Sequence, residues 1–91
     1  MTINVFELFN KQKITNVEDG NRVFNLLKQN RENNPKDFEL ILNMKNVISF
    51  SVVAFQTIFG KMRKNLKGNI TVQIVNQNVF INQSFQKALN S

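Results

Sequence analysis

Three segments of the chain carry apolar residues in strand-like patterns. Residues Thr2–Phe9 (TINVFELF) alternate imperfectly and predict a strand buried on both faces. The apolar run Phe38–Met44 (FELILNM) is too short for a buried helix and predicts a central strand. Residues Asn69–Asn76 (NITVQIVN) alternate cleanly between apolar and mostly polar positions, which predicts a third strand.

Helical periodicity fills the segment between the first two strands. Thr15 and Glu18 have the spacing of a capping box, and Asp19 adds a negative charge that a helix start favours. An amphipathic helix is therefore predicted, with its apolar face formed by Val23, Phe24, Leu26 and Leu27. It should end before Asn33-Asn34-Pro35, because proline disfavours helical geometry in the preceding residue.

Two more helices are predicted in the second half of the chain. Ser49 or Ser51 can cap a helix whose apolar stripe is Phe55, Ile58, Phe59, Met62 and Leu66. Its last turns are basic and precede Gly68, which suits a glycine C-cap. The tail from Asn78 to Asn90 predicts a final helix with a break near Asn82.

The alternation of strands and helices indicates the fold class. We predict a single α/β domain over residues 1–91, with a small, mostly parallel sheet of three to four strands packed against helices. The length suits one hydrophobic core. We expect that core to include six residues that occupy apolar positions in the pattern of their segment: Leu27, Leu42, Val47, Phe55, Phe59 and Val72.

Composition removes most catalytic chemistry. The chain has no Cys and no His, so thiol nucleophiles, thiolate metal sites and the commonest general base are excluded. Only two of the six acidic residues are adjacent, Glu18 and Asp19, and helix capping explains them. The three glycines are isolated and form no phosphate loop. We expect a protein that is not an enzyme and takes no metal or cofactor.

The N-terminus and the apolar runs bear on location. Residues Met1–Leu8 lack the basic and apolar regions of a signal peptide, and no run approaches the ~20 apolar residues that span a bilayer. A cytoplasmic protein that does not bind membranes is the resulting expectation.

A net charge of +6 raises the question of an anionic partner. The sixteen Asn and many Lys are also typical of AT-rich coding sequences, which weakens that argument. The candidate anion-binding residues are Lys61, Arg63, Lys64 and Lys67, although a solvated helix end is the explanation that we favour for them. Nucleic-acid binding, if present, is expected to be weak, because no base-reading motif accompanies the cluster.

The segment LILNMKNVISFSVVAFQTIFGKM (Leu40–Met62), together with Glu18-Asp19-Gly20 and Arg22, resembles STAS domains. STAS is the fold of bacterial anti-sigma-factor antagonists, and the chain is most similar to STAS-like relatives of uncharacterised function. The resemblance covers residues 14–89 and implies a non-catalytic, regulatory protein-interaction module. Two positions depart from the family pattern: Asn43 replaces the strand's acidic residue, and Val53 occupies the position of the phosphorylated serine.

These observations lead to one hypothesis for the binding surface. In a parallel sheet the loops after the carboxyl ends of the strands gather at one edge, where ligands commonly bind. We expect a partner protein to bind there, through Ile48, Ser49, Ser51, Val52, Val53 and Gln56. The alternative is an accessory protein of a phage or mobile element that binds a host protein or nucleic acid through its basic surface. A homodimer is also compatible with the sequence.

Overall fold

The computed structural model describes residues 1–33, 38–66 and 68–91. Asn34, Pro35 and Lys67 lie outside these ranges. The elements, in chain order, are β1 (Thr2–Asn4), α1 (Val5–Phe9), β2 (Lys13–Ile14), α2 (Val17–Asn33), β3 (Phe38–Asn43), β4 (Ser49–Phe50), α3 (Val52–Asn65), β5 (Ile70–Val75) and α4 (Val79–Leu89).

The main sheet has three parallel strands in the order β1-β3-β5, which confirms the predicted α/β class and the central place of β3. Its register aligns Ile3 with Leu42 and Leu42 with Ile74. Because parallel partners point to the same side, Ile3, Leu42 and Ile74 share one face of the sheet.

The helices cover only that apolar face. Helices α2, α3 and α4 pack side by side, and the strand residues facing them are buried or half-buried. The opposite face exposes polar side chains such as Thr2, Glu39 and Gln73. Strands added in sequential order with crossovers of one handedness place the connecting helices on the same side of the sheet, and α4, which follows β5, packs against α3 there; this explains the open face.

The core is continuous and aromatic at its centre. The predicted core residues Leu27, Leu42, Val47, Phe55 and Phe59 are all buried in one cluster. Val72 is half-buried and packs against that cluster, because it lies on the edge strand β5. The ring of Phe55 lies 4.2 Å from Phe50, 6.0 Å from Phe59 and 5.3 Å from Phe85, measured between centroids.

The strand predicted over Thr2–Phe9 is wrong beyond Asn4. The chain turns there into α1, which ends at Asn10 in the left-handed conformation (φ 53°), with the Asn10 N–H donating to the Phe6 carbonyl at 2.7 Å. The apolar residues after Asn4 fall in two pairs separated by Glu7, a spacing that one side of a helix also satisfies. Val5 is fully buried, while Phe6, Leu8 and Phe9 pack against the core.

The capping box at the start of α2 involves a different pair from the predicted Thr15 and Glu18. The Asn16 side chain accepts from the Asp19 N–H at 2.9 Å, and Asp19 Oδ2 accepts from the N–H groups of Thr15 (3.1 Å) and Asn16 (3.5 Å). Glu18 is exposed. The two residues bond reciprocally as in the predicted capping box, but the pair lies one residue later in the chain. At its other end, α2 continues through Asn33, one residue further than predicted.

Helix α3 begins as predicted and ends earlier than predicted. Its N-cap is Ser51, whose Oγ accepts from the Ala54 N–H at 3.0 Å. It ends at Asn65 with Leu66 in an extended conformation, so Gly68 is not its C-cap. The Leu66 side chain packs against the core, which draws the chain out of the helix before the glycine. Helix α4 is continuous through Asn82, with no break.

A second, two-stranded sheet was not predicted. Strands β2 and β4 pair in parallel, Lys13 with Ser49 and Ile14 with Phe50. Each strand is only two residues long, so neither carries a periodicity that sequence alone could reveal. Because β2 leads into α2 and β4 into α3, this pair holds the starts of both helices side by side.

Helices α2 and α3 approach closely at Gly20. A Cβ atom at that position would lie 2.7 Å from the Ala54 carbonyl oxygen and 2.8 Å from Thr57 Cβ. Glycine is therefore required here by the distance between the two helices.

Candidate interaction surface

The loop before α3 and the start of α3 combine structural and exposed residues. The Ser51 hydroxyl donates to the Thr15 carbonyl at 2.8 Å in addition to capping α3, so it links the starts of α2 and α3. Ser49 lies in β4, and its N–H donates to the Gln12 carbonyl at 3.2 Å. Val52 is half-buried against the core. These three predicted binding residues thus have clear roles in the fold.

Two other predicted residues, Ile48 and Val53, present apolar side chains to solvent. Ile48 is 48% exposed, and its backbone is fixed by a bond from its N–H to the Gln12 carbonyl at 2.8 Å. Val53 is 47% exposed on the first turn of α3. Gln56, the last predicted residue, is exposed and donates to Ser91 Oγ at 3.1 Å.

The start of α4 adds two apolar residues that the sequence analysis missed. Val79 is 61% exposed and Phe80 is 69% exposed. Their N-cap, Asn78, accepts from the Ile81 N–H at 2.8 Å and donates through Nδ2 to the Ile48 carbonyl at 2.8 Å. The loop carrying Ile48 is therefore tied directly to the residue before Val79.

Most exposed apolar side chains belong to one end of the molecule. Among the described residues, six large apolar side chains are exposed, and five of them lie at helix starts or on the loop before β4: Val17, Ile48, Val53, Val79 and Phe80. We call these five residues the helix-start surface. The sixth, Leu89, is at the far end of α4. Exposed apolar groups gathered in one region often mark a protein interface.

Asparagines join the carboxyl ends of the three main strands at the same end of the fold. Asn43 Nδ2 donates to Asn4 Oδ1 at 3.0 Å, and Asn76 Nδ2 donates to Asn43 Oδ1 at 3.0 Å. Asn43 Oδ1 also accepts from the Lys45 N–H at 3.1 Å. These hydrogen bonds link the three asparagines side by side, so the network fixes the loops that follow the strands. The sequence feature that could have predicted this network is an asparagine at or directly after the end of each main strand.

The start of α2 carries the ion pair between Lys11 Nζ and Asp19 Oδ1, 3.0 Å apart. Burial by itself would raise the pKa of Asp19. The hydrogen bond from Lys11, the backbone hydrogen bonds from Thr15 and Asn16 and the charge of Lys11 outweigh it, and hold that pKa below its ordinary value of 3.8. The carboxylate is thus ionised at neutral pH and anchors this helix start.

The predicted anion-binding residues do not share one face. Lys61 Nζ lies 5.9 Å from the ring centroid of Phe24, on the α2 side of α3. Arg63 instead lines an apolar groove beside β5. Lys64 is exposed, and Lys67 lies outside the described residues. The structure therefore separates residues that are close in sequence.

Two further observations concern the described residues only. They contain no group of three acidic side chains placed to hold a metal ion. None of the helices within these ranges combines the length and the apolar character needed to cross a membrane.

Comparisons with protein-family models, with curated proteins and with solved structures found no match to this chain.

Proposed function

We propose that this protein is a non-catalytic interaction module that binds a partner protein through the helix-start surface. The observation that carries the proposal is the gathering of Val17, Ile48, Val53, Val79 and Phe80 at one end of the fold. Exposed aromatic and aliphatic side chains are the usual anchors of protein interfaces.

The rigidity of the surrounding backbone supports this assignment. Ile48 is fixed through both its N–H and its carbonyl, and α3 and α4 each begin with a side-chain cap. A surface held in place before binding loses less conformational entropy when the partner docks. The anchors are therefore presented on a preformed scaffold.

A regulatory role is part of the proposal and comes from the resemblance to STAS domains. In that family, control acts at the position that Val53 occupies here. Val53 cannot accept a phosphate, so regulation would depend on which partner is bound and not on phosphorylation of this residue.

The test compares two substitutions on α4, Phe80→Lys and Gln86→Lys. Each places a lysine at an exposed position of the helix, but only Phe80 belongs to the helix-start surface. Proteins captured from a lysate of the native host by the wild type would be identified and quantified by mass spectrometry. We expect Phe80→Lys to reduce recovery of the partner by about tenfold or more, because an interface anchor is lost, and Gln86→Lys to leave it unchanged.

Thermal unfolding of both variants shows whether they remain folded. Ile48→Lys provides a second anchor substitution on a different element. If folded Phe80→Lys and Ile48→Lys proteins captured the same partner as well as the wild type, the helix-start surface would not be the interface. Loss of the partner with Gln86→Lys alone would place the interface closer to the end of α4.

A further inference from the structure

Strand β5 presents an unpaired edge. It hydrogen-bonds to β3 on one side and, among the described strands, has no neighbour on the other. The Phe38 N–H donates to the Asn69 carbonyl at 3.1 Å and the Met44 N–H to the Val75 carbonyl at 2.8 Å. In a parallel ladder of this register, the N–H and C=O groups of Ile70, Val72 and Ile74 point away from β3.

This edge lacks the usual protection against pairing. Exposed edges are normally blunted by charged residues, by proline, by bulges or by being very short. Strand β5 is six residues long, reads ITVQIV, and contains no charged residue, proline or glycine. Its outward backbone groups can therefore accept another strand along their full length.

An apolar groove runs beside the same edge. It has a volume of about 210 Å³ and is lined by Phe59, Met62, Arg63, Ile70, Val72 and Leu89. These residues come from the last turns of α3 and α4 and the first half of β5, away from the helix-start surface. An edge strand beside an apolar groove is the arrangement by which proteins add a peptide as an extra strand, with alternate side chains entering the groove.

The charge at the groove identifies the kind of peptide that fits. Arg63 is exposed, lines the groove, and forms no ion pair with an acidic residue in the described part of the chain. A guanidinium in this setting favours a carboxylate on the incoming strand. The net charge of +6 opposes edge-to-edge pairing of two copies.

We propose that the β5 edge binds an extended acidic peptide segment of a partner protein, which adds a fourth strand to the sheet. Its backbone pairs with Ile70, Val72 and Ile74, apolar side chains at alternate positions enter the groove, and an Asp or Glu side chain pairs with Arg63. This surface is separate from the helix-start surface.

The probe is a displayed library of random peptides about twelve residues long, enough to cover one strand with flanks. Selected peptides should alternate apolar and polar positions and carry at least one acidic residue. Their affinity is then measured for the wild type and for two matched variants, Arg63→Glu and Lys64→Glu. Both change the net charge equally, but only Arg63 lines the groove. We expect Arg63→Glu to weaken binding by about tenfold or more and Lys64→Glu to change it far less.

The backbone pairing has its own test. In the free protein, amide hydrogen exchange should be fast at Ile70, Val72 and Ile74 and slow at Thr71, Gln73 and Val75, whose N–H groups face β3. A bound peptide should slow exchange at the first three. Val72→Pro removes one outward N–H at an edge position where proline is tolerated, and should abolish peptide binding in a folded protein.

Other results would overturn the proposal. Selected peptides that are basic or lack alternation, or equal losses in the two charge variants, would contradict it. Sedimentation showing a dimer that Val72→Pro dissociates would assign the edge to a second copy of the chain. Binding of an oligothymidine probe that survives about 200 mM salt, and that Arg63→Glu abolishes while Lys64→Glu does not, would assign the groove to nucleic acid.

Discussion

At the scale of single residues, Asp19 is a buried charged group with several hydrogen-bond partners. It caps α2 through reciprocal hydrogen bonds with Asn16 and pairs with Lys11 across the loop after α1. Its location was predictable, because an acidic residue in the first turn of a helix is stabilised there. The partners were not, since Lys11 is brought near only by the turn at Asn10.

The lowered pKa of Asp19 predicts a pH-dependent contribution to stability. The folded state favours the ionised carboxylate, so the contribution is present above the unfolded-state value and is lost as pH falls through the folded value. Asp19→Asn should lower the free energy of unfolding by about 1 to 2 kcal/mol near neutral pH, and by much less toward about pH 2.

Urea denaturation of wild type and Asp19→Asn across this pH range measures the effect. Glu18→Gln removes the same charge from the neighbouring exposed position and should show only a small difference at every pH. A loss for Asp19→Asn that stayed constant down to the lowest pH would contradict the assignment.

At the scale of elements, an aromatic contact joins α3 to α4. The ring of Phe59 on α3 lies 5.8 Å from that of Phe85 on α4, and both are buried. The spacing of Phe55 and Phe59 predicted a buried helix face, but which helix would cover that face depended on the chain's path after β5.

Phe59→Ala should destabilise the protein by about 3 to 5 kcal/mol, because it removes buried apolar surface and leaves a cavity between α3 and α4. Phe80→Ala makes the same chemical change at a position that is 69% exposed, and should cost less than about 0.5 kcal/mol. Thermal and chemical denaturation of the two variants give the comparison. Similar melting temperatures for both would show that Phe59 is not a core residue.

At the scale of the whole molecule, the positive charge is spread over several elements. Lys61 lies against α2 and Arg63 against the β5 groove, so the basic residues of α3 do not line a single track for a phosphate backbone. Net charge alone attracts nucleic acid without selecting a sequence.

We therefore expect only weak and sequence-independent binding to a single-stranded or duplex oligonucleotide. Affinity should fall by about tenfold or more between about 50 and about 200 mM salt, as counterions are released. Fluorescence anisotropy with oligonucleotides of different sequence gives this dependence. Tight binding that survives the higher salt concentration and discriminates between sequences would contradict this expectation.

The sequence by itself determined the α/β class, the strands β3 and β5, the helices α2, α3 and α4, and six residues of the core, of which five are buried and Val72 is half-buried. These features depend on periodicity over six or more residues, which local sequence records directly. Helix α1 was not predicted because five residues with two apolar pairs fit a strand and a helix equally well. Strands β2 and β4 were not predicted because a two-residue strand shows no periodicity.

Only the tertiary structure decided which surfaces are available to partners. Ser51 and Val52 looked like contact residues in sequence, but the fold uses one as a cap and buries half of the other. Phe80 was not among the predicted binding residues, yet it is exposed beside the loop of Ile48 because Asn78 begins α4 at that point. The exposure of a side chain depends on which elements become neighbours. Here a hydrogen bond between Asn78 and Ile48, thirty positions apart in the chain, brings the start of α4 beside the loop before β4.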